Sequence, residues 1–382
     1  MKDFTFSIPQ NIVVGKESLA KLPQLAKKLG GKHAFIISGP HLNKMGIVQS
    51  CEDALKAEGM DASAFTETEG NPSVETVDKA TKAFKESGAD FIVALGGGSP
   101  MDVAKAVGVL AKYGGSITEY EGADKVPGDI VPLIAIPTTA GTGSEVTAFS
   151  VITDHSRNYK LTVFSYKLLP AYAILDANLL TSAPPSVAAA CGIDAMIHAL
   201  EAYISTAASP FSDAMAEKAL ELIGGNIRRY VANRTDEEAA ENMLVGSLFA
   251  GIAFSWARLG NVHAMSHPVS AYFNVPHGVA NAILLPTIVE YNMLADHGKY
   301  LKIYNYIAQK PVKACEFTPD MLVDEIRELN ASLGIPASLQ EAGVTRDKFD
   351  AMAEDAMKSG NIAVNPRSST KKDILSLYEK AF

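Results

Sequence analysis

The first half of the chain alternates short apolar runs with stretches of helical period, and the second half abandons strands altogether. Ala34-Phe-Ile-Ile-Ser38, Asp61 to Phe65, Phe91-Ile-Val-Ala-Leu95 and Val131-Pro-Leu-Ile-Ala-Ile136 read as strands. Helical periods over 47–58, 74–87 and 101–111 separate them. Strands spaced by helices of this length predict a parallel, doubly wound sheet. From Asn178 onward Ala, Leu, Met and Glu dominate, with helical periods over 187–204, 210–231, 236–256, 260–273, 279–294, 298–308, 319–333 and 347–358. Pro184-Pro185 forbids a continuous helix across this change of texture, which places the boundary within 176–185. The expected architecture is a Rossmann-like α/β domain over 1–180 followed by an all-α domain over 181–382.

The helical half carries the densest chemistry. Leu259-Gly-Asn-Val-His-Ala-Met-Ser-His-Pro-Val-Ser-Ala-Tyr-Phe-Asn-Val-Pro-His-Gly278 gathers His263, His267 and His277, in a chain with eight histidines. His263 and His267 are four apart and share a helix face, as do Asp194 and His198 in Cys191-Gly-Ile-Asp-Ala-Met-Ile-His-Ala-Leu-Glu-Ala-Tyr203. Either pair alone reads equally well as a hydrogen-bonded couple. Asp194 and His198, however, lie in an apolar helix, where burying a carboxylate and an imidazole is costly without compensation. A divalent cation held between two such helices is a sufficient compensation.

Composition narrows the partners. The formal charge is −9 and no basic block occurs, which disfavours nucleic acid and anionic membranes as partners. Cys51, Cys191 and Cys315 are few and far apart, so no disulfide framework is expected and a reducing cytoplasm fits. The first nine residues lack a signal-peptide core, and no run is expected to reach the roughly 20 apolar residues that cross a bilayer.

Two loops in the first half suit a nucleotide. Strand 91–95 runs into Gly96-Gly-Gly-Ser-Pro-Met-Asp102, where glycines admit a phosphate and Ser99, Pro100 and Asp102 fit N-cap, N1 and N3. The following helix would point its partial positive charge at that ligand. Strand 131–136 ends in Pro137-Thr-Thr-Ala-Gly-Thr-Gly-Ser-Glu145, again at a carboxyl edge, where open α/β sheets bind ligands. A dinucleotide spanning both loops is the expected ligand.

Taken together, Gly96-Gly-Gly-Ser-Pro-x-Asp102, Thr138-Thr-Ala-Gly-Thr-x-Ser-Glu145, Gly192-x-Asp-Ala-x-x-His-Ala-x-Glu-Ala-Tyr203, Gly260-x-Val-His-Ala-Met-x-His-Pro268, Pro276-His-Gly-Val-Ala-Asn281 and Asn365-Pro-Arg367 resemble the iron-containing (group III) alcohol dehydrogenases along the whole chain. The resemblance implies the dehydroquinate synthase-like architecture of that family. It also implies metal ligation by Asp194, His198, His263 and His277, with His267 beside the site as a proton relay. The implied cation is Fe(II), with zinc as an alternative, acting as a Lewis acid while hydride passes between a small alcohol or aldehyde and the nicotinamide. Cofactor contacts implied in the same way are Gly97, Gly98 and Ser99 at the pyrophosphate and Asn71 near the adenosine. Asp102, Thr138, Thr139, Thr142 and Lys160 follow toward phosphate, ribose and nicotinamide. Phe149, Val151, Phe254 and Trp256 are expected to line the substrate pocket, and a homodimer or larger homo-oligomer is expected.

Polyol and diol dehydrogenases, a dehydroquinate synthase-like lyase and a metallohydrolase are the competing readings. The absence of Lys and Arg between Gly260 and Asn281 argues for a neutral substrate, and a hydrolase leaves both loops unexplained. Many members of the family carry Asp where this chain has Gly39. Without a carboxylate to repel a 2′-phosphate, and with Ser38 and backbone amides to donate to one, NADP is expected to be preferred or accepted, with NAD possible.

Overall fold

The computed structural model describes residues 6, 8, 10–157 and 159–382. Among the described residues nine strands form β1 (Asn11–Val14), β2 (His33–Ile37), β3 (Asp61–Phe65), β4 (Phe91–Gly96), β5 (Gly122–Ala123), β6 (Leu133–Pro137), β7 (Phe149–Asp154), β8 (Tyr159–Phe164) and β9 (Tyr172–Leu175). They are interleaved with α1 (Leu22–Lys28), α2 (Pro40–Lys44), α3 (Ile47–Ala57), α4 (Val74–Ser87) and α5 (Gly98–Tyr113). Helices follow: α6 (Pro185–Ile204), α7 (Pro210–Ala232), α8 (Glu237–Ala257), α9 (Asn261–Phe273), α10 (His277–Asn292), α11 (Lys299–Ile307), α12 (Pro319–Ser332), α13 (Phe349–Lys358) and α14 (Lys371–Ala381). The chain divides into two compact units. The α/β unit spans Ile8–Thr139 and Gly143–Thr181; Ala140–Thr142 group with Ser182–Phe382 in the helical unit.

In the α/β unit six strands form one sheet in the order β1-β9-β6-β4-β2-β3, every pairing parallel. The apolar runs explain why: a parallel strand covered on both faces has no polar side to show. Phe35, Ile37, Ile92, Ala94, Leu133 and Ala135 enter one core, while Ala34, Ile36, Phe91, Val93, Leu95, Ile134 and Ile136 enter the other. Each such Ile, Leu, Val or Phe side chain contributes about 1.5–3 kcal/mol on burial. A second sheet, β5-β8-β7, joins the short β5 before the loop at 137–145 to β7 and β8 after it, with β7 and β8 antiparallel. The sequence reading did not anticipate it.

In the helical unit α6 packs against α7, α8 and α10. By length and composition α6 and the segment His277–Ala295 could each cross a membrane, which corrects the expectation that no run approaches that length. Both are largely enclosed by protein instead, with 83% and 67% of their apolar windows buried. A helix apolar on all sides is one that other helices surround. The chain turns by 104° between α8 and α9, through Arg258 at φ 60°.

Candidate metal centre and nucleotide loops

Three helices bring the ligand candidates together. Asp194 and His198 stand one turn apart on α6, His263 lies in the first turn of α9, and His277 is the first residue of α10. The start of α10 reaches α6 because Gly278 has no side chain; a Cβ there would collide with the Ala190 carbonyl oxygen. Ligand atoms of Asp194, His263 and His277 all lie within 4.8 Å of one another. His198 joins them, its Nε2 3.9 Å from Asp194 Oδ1 and its ring 4.7 Å from that of His263. His263 Nε2 is 3.6 Å from the same Asp194 oxygen. Metal–ligand bonds of about 2.0–2.2 Å put tetrahedral ligand atoms about 3.4 Å apart, so the spacing fits a divalent cation.

Proton positions agree. His263 Nδ1 lies 2.6 Å from Glu201 Oε2 and His198 Nδ1 lies 3.3 Å from the Gly141 carbonyl oxygen. In its neutral form each ring therefore donates its Nδ1 proton away from the cluster and presents an Nε2 lone pair to it. Burial opposes a charge on Asp194, but the three imidazoles outweigh it and hold the carboxyl well below the usual range. Burial likewise lowers His198 to about 4. Burial opposes charge on His263 too, yet Asp194 and Glu201 prevail and raise it to about 9. A cation taking His263 must displace that proton. His267 is half-buried on α9, its ring 5.2 Å from His277 and 6.3 Å from His263, beside the cluster. Of the pocket candidates in this unit, Phe254 is buried with its ring 4.5 Å from that of His198, and Trp256 lies 5.3 Å from Phe6.

In the α/β unit the two loops meet. Thr138 N donates to Gly96 O at 3.0 Å, and a Cβ on Gly97 would lie 3.1 Å from Thr139 Oγ1. Gly97, not Ser99, is the N-cap of α5, because the glycines let the backbone enter the helix earlier. Gly98 and Ser99 occupy its first turn, partly exposed. Asp102 does not cap either: it accepts Ser144 Oγ at 3.0 Å, and burial raises it to about 6. Lys160 Nζ donates to Asn71 Oδ1 at 2.7 Å, so these two candidates are partners. Asn71 holds a left-handed backbone, φ 55°. Phe149 and Val151 lie on β7, the Phe149 ring 4.9 Å from Phe164. Thr142 is half-buried and belongs to the segment grouped with the helical unit. Gly39 is the N-cap of α2 with φ −99°. Ser38 is fully buried and its hydroxyl lacks a partner, so it is not positioned to donate to a 2′-phosphate as expected.

Comparison with known proteins agrees with these geometries. An iron-containing alcohol dehydrogenase profile matches residues 9–177, and an Fe-containing alcohol dehydrogenase C-terminal profile matches 188–382. The chain is 36% identical to 1,3-propanediol dehydrogenase of Citrobacter freundii, over 99% of both chains. It is 33% identical to the NAD-dependent methanol dehydrogenase of Bacillus methanolicus, over 98% of this chain and 99% of that one. The crystal structure of a 1,3-propanediol oxidoreductase superposes with a TM-score of 0.95 at 35% identity, covering 100% of both chains. The chain belongs to the iron-containing alcohol dehydrogenase family.

It is therefore a nicotinamide-linked oxidoreductase that interconverts alcohols and aldehydes. Sequence reasoning missed three residues that organise this dehydrogenase. Glu201, 2% exposed, spans from α6 to the start of α9, where Oε1 accepts Val262 N at 2.8 Å while Oε2 holds His263. Asn281, one turn into α10, donates to Asp194 Oδ1 at 2.6 Å. Lys105 is fully buried on α5 and donates to Ser144 Oγ and to the Thr147 and Phe149 carbonyl oxygens at 2.8–2.9 Å. It pins the second loop to α5, and burial lowers its pKa to about 8. The signal for all three was a polar side chain at an apolar helix position.

Proposed function

We propose that the enzyme reduces small aliphatic aldehydes and oxidises the matching primary alcohols, with Fe(II) as native cation and zinc as a slower substitute. NADP(H) is preferred or accepted, supported by the lack of a carboxylate at Gly39 to repel a 2′-phosphate, with NAD(H) possible. The observation that carries this reading is the convergence of Asp194, His198, His263 and His277 at a buried point walled by Phe254. The lack of Lys and Arg from Gly260 to Asn281 supports a neutral substrate. Those four side chains would hold the cation, which when bound supplies Lewis acidity that lowers the alcohol's pKa. His267 passes the hydroxyl proton toward solvent. Residues 181–382 would thus form the metal domain and 1–180 the dinucleotide domain. There Gly97, Gly98 and Ser99 receive the pyrophosphate, with Gly39, Asn71, Asp102, Thr138, Thr139, Thr142 and Lys160 as the remaining cofactor contacts. Phe149, Val151, Phe254 and Trp256 would favour aliphatic over polyhydroxylated substrates. Diols remain the alternative, supported by the propanediol-acting relatives. A cytoplasmic homo-oligomer is part of the proposal, supported by the scattered cysteines and by β1 at the edge of its sheet.

A panel of aldehydes and diols, assayed with NADPH and NADH after iron reconstitution, tests the reading. A hundredfold preference for NADH in kcat/KM refutes the cofactor argument. Gly39→Asp should shift the ratio toward NADH. Since a Cβ at Gly39 would lie 3.2 Å from the Thr68 carbonyl oxygen, Gly39→Ala is the control for crowding without charge.

A further inference from the structure

Asn281 occupies an unusual place for an amide. It is fully buried, and its Nδ2 lies 2.6 Å from Asp194 Oδ1, 3.1 Å from His263 Nε2 and 3.1 Å from His277 Nε2. These belong to the three side chains whose ligand atoms cluster within 4.8 Å. The amide cannot be reversed in place. Reversal would set Oδ1 2.6 Å from a carboxylate oxygen, two acceptors with no proton between them. His263 Nε2 is an acceptor in the neutral ring that a cation would bind, whose single proton sits at Nδ1 on Glu201. One NH2 group, with two protons and a partial positive charge, therefore faces three atoms that would each bind a cation. Asn281 Oδ1 meanwhile is buried with no hydrogen-bond partner. Buried acceptors are rarely left so, and nothing in the helix backbone requires it here.

We propose that Asn281 is a built-in stand-in for the metal: its NH2 gathers Asp194, His263 and His277 and competes with the cation for them. A cation bonded to those atoms at about 2.1 Å would take the same lone pairs, so the amide must withdraw as the ion enters. The residue then keeps the buried carboxylate compensated while metal is exchanged, and holds metal affinity below what the ligands alone would give. A merely structural asparagine would instead support the metal-free and metal-loaded protein alike.

The inference rests on the metal-centre reading, and Zn²⁺ titration of the whole protein keeps the two apart. Affinity is read by competition with a chromophoric chelator, and thermal midpoints are recorded after chelator stripping and at saturating Zn²⁺. Asn281→Ala should lower the midpoint of the stripped protein, leave that of the loaded protein within about a degree, and tighten Zn²⁺ binding about tenfold. Asn281→Asp keeps the shape and adds an oxygen anion, so it should bind Zn²⁺ tighter still and depend on it more for stability. Equal loss in both midpoints, or unchanged or weaker Zn²⁺ binding in both variants, overturns the proposal. A wild type that takes up no Zn²⁺ defeats the metal-centre reading and this inference with it.

Discussion

Replacing Glu201 by Gln keeps the number of heavy atoms and leaves His263 in place, yet it should damage the metal centre through a proton. Glu201 Oε2 accepts from His263 Nδ1 at 2.6 Å and Oε1 accepts from Val262 N at 2.8 Å. A glutamine offers one acceptor and one donor where the site asks for two acceptors. If its NH2 faces Val262 N, two donors oppose each other at the start of α9. If it faces His263, the imidazole must move its proton to Nε2, the atom directed at the cluster. Either arrangement removes a charge-assisted hydrogen bond, worth about 1.5–3 kcal/mol. Partners of this kind typically contribute 10–100-fold in metal affinity, about 1.4–2.7 kcal/mol. We expect E201Q to bind Zn²⁺ 10–100-fold more weakly by chelator competition, with kcat at saturating metal falling less than affinity. E201D, which keeps the charge but shortens the reach, should fall between. Zn²⁺ affinity within twofold of wild type for E201Q would refute the tautomer argument.

Removing His267 separates relay from ligation: His267→Ala should retain its metal by elemental analysis while turnover falls about 10²–10⁴-fold, and an unchanged pH–rate profile would count against the relay. Gly278→Ala forces α10 away from the Ala190 carbonyl and should lower both thermal stability and metal occupancy, the overlap costing about 1–3 kcal/mol; full occupancy in that variant would show that the close approach does not set the His277 position. Burial, with Glu52 adding to it, pushes the Cys51 thiol up to about 12 from 9.0. A group whose folded pKa is raised stabilises below its unfolded pKa, so this contribution is full below pH 9 and is lost toward pH 12, about 1 kcal/mol of it between pH 9 and 10. Urea unfolding at those two pH values should show a smaller loss for Cys51→Ala than for wild type, and iodoacetamide at pH 8.5 should label exposed Cys315 while sparing Cys51.

What the chain disclosed before folding follows from where each signal resides. β2, β4 and β6 were legible because strands covered on both faces must be apolar along their length, and that is a local property. β7 and β8 were not, because each alternates buried with half-buried side chains and its partner is decided by a turn. β1 and β9 are four residues each, too short for a period to register, and pair with each other across the intervening chain. Asp194 stood out because a carboxylate in an apolar helix demands compensation. The same logic applied to Glu201, two turns further along, but its compensation comes from the start of α9, 61 and 62 positions away. Periodicity says that a residue is buried and is silent on which helix faces it. Lys105 is the mirror case: its partners, Ser144, Thr147 and Phe149, lie 39 to 44 residues on, in the loop it restrains. The candidate ligands were thus readable as types at a spacing, whereas the groups that contact them are defined by contacts between segments. That is why the candidate metal set was visible in the sequence and Glu201, Asn281 and Lys105 had to await the fold.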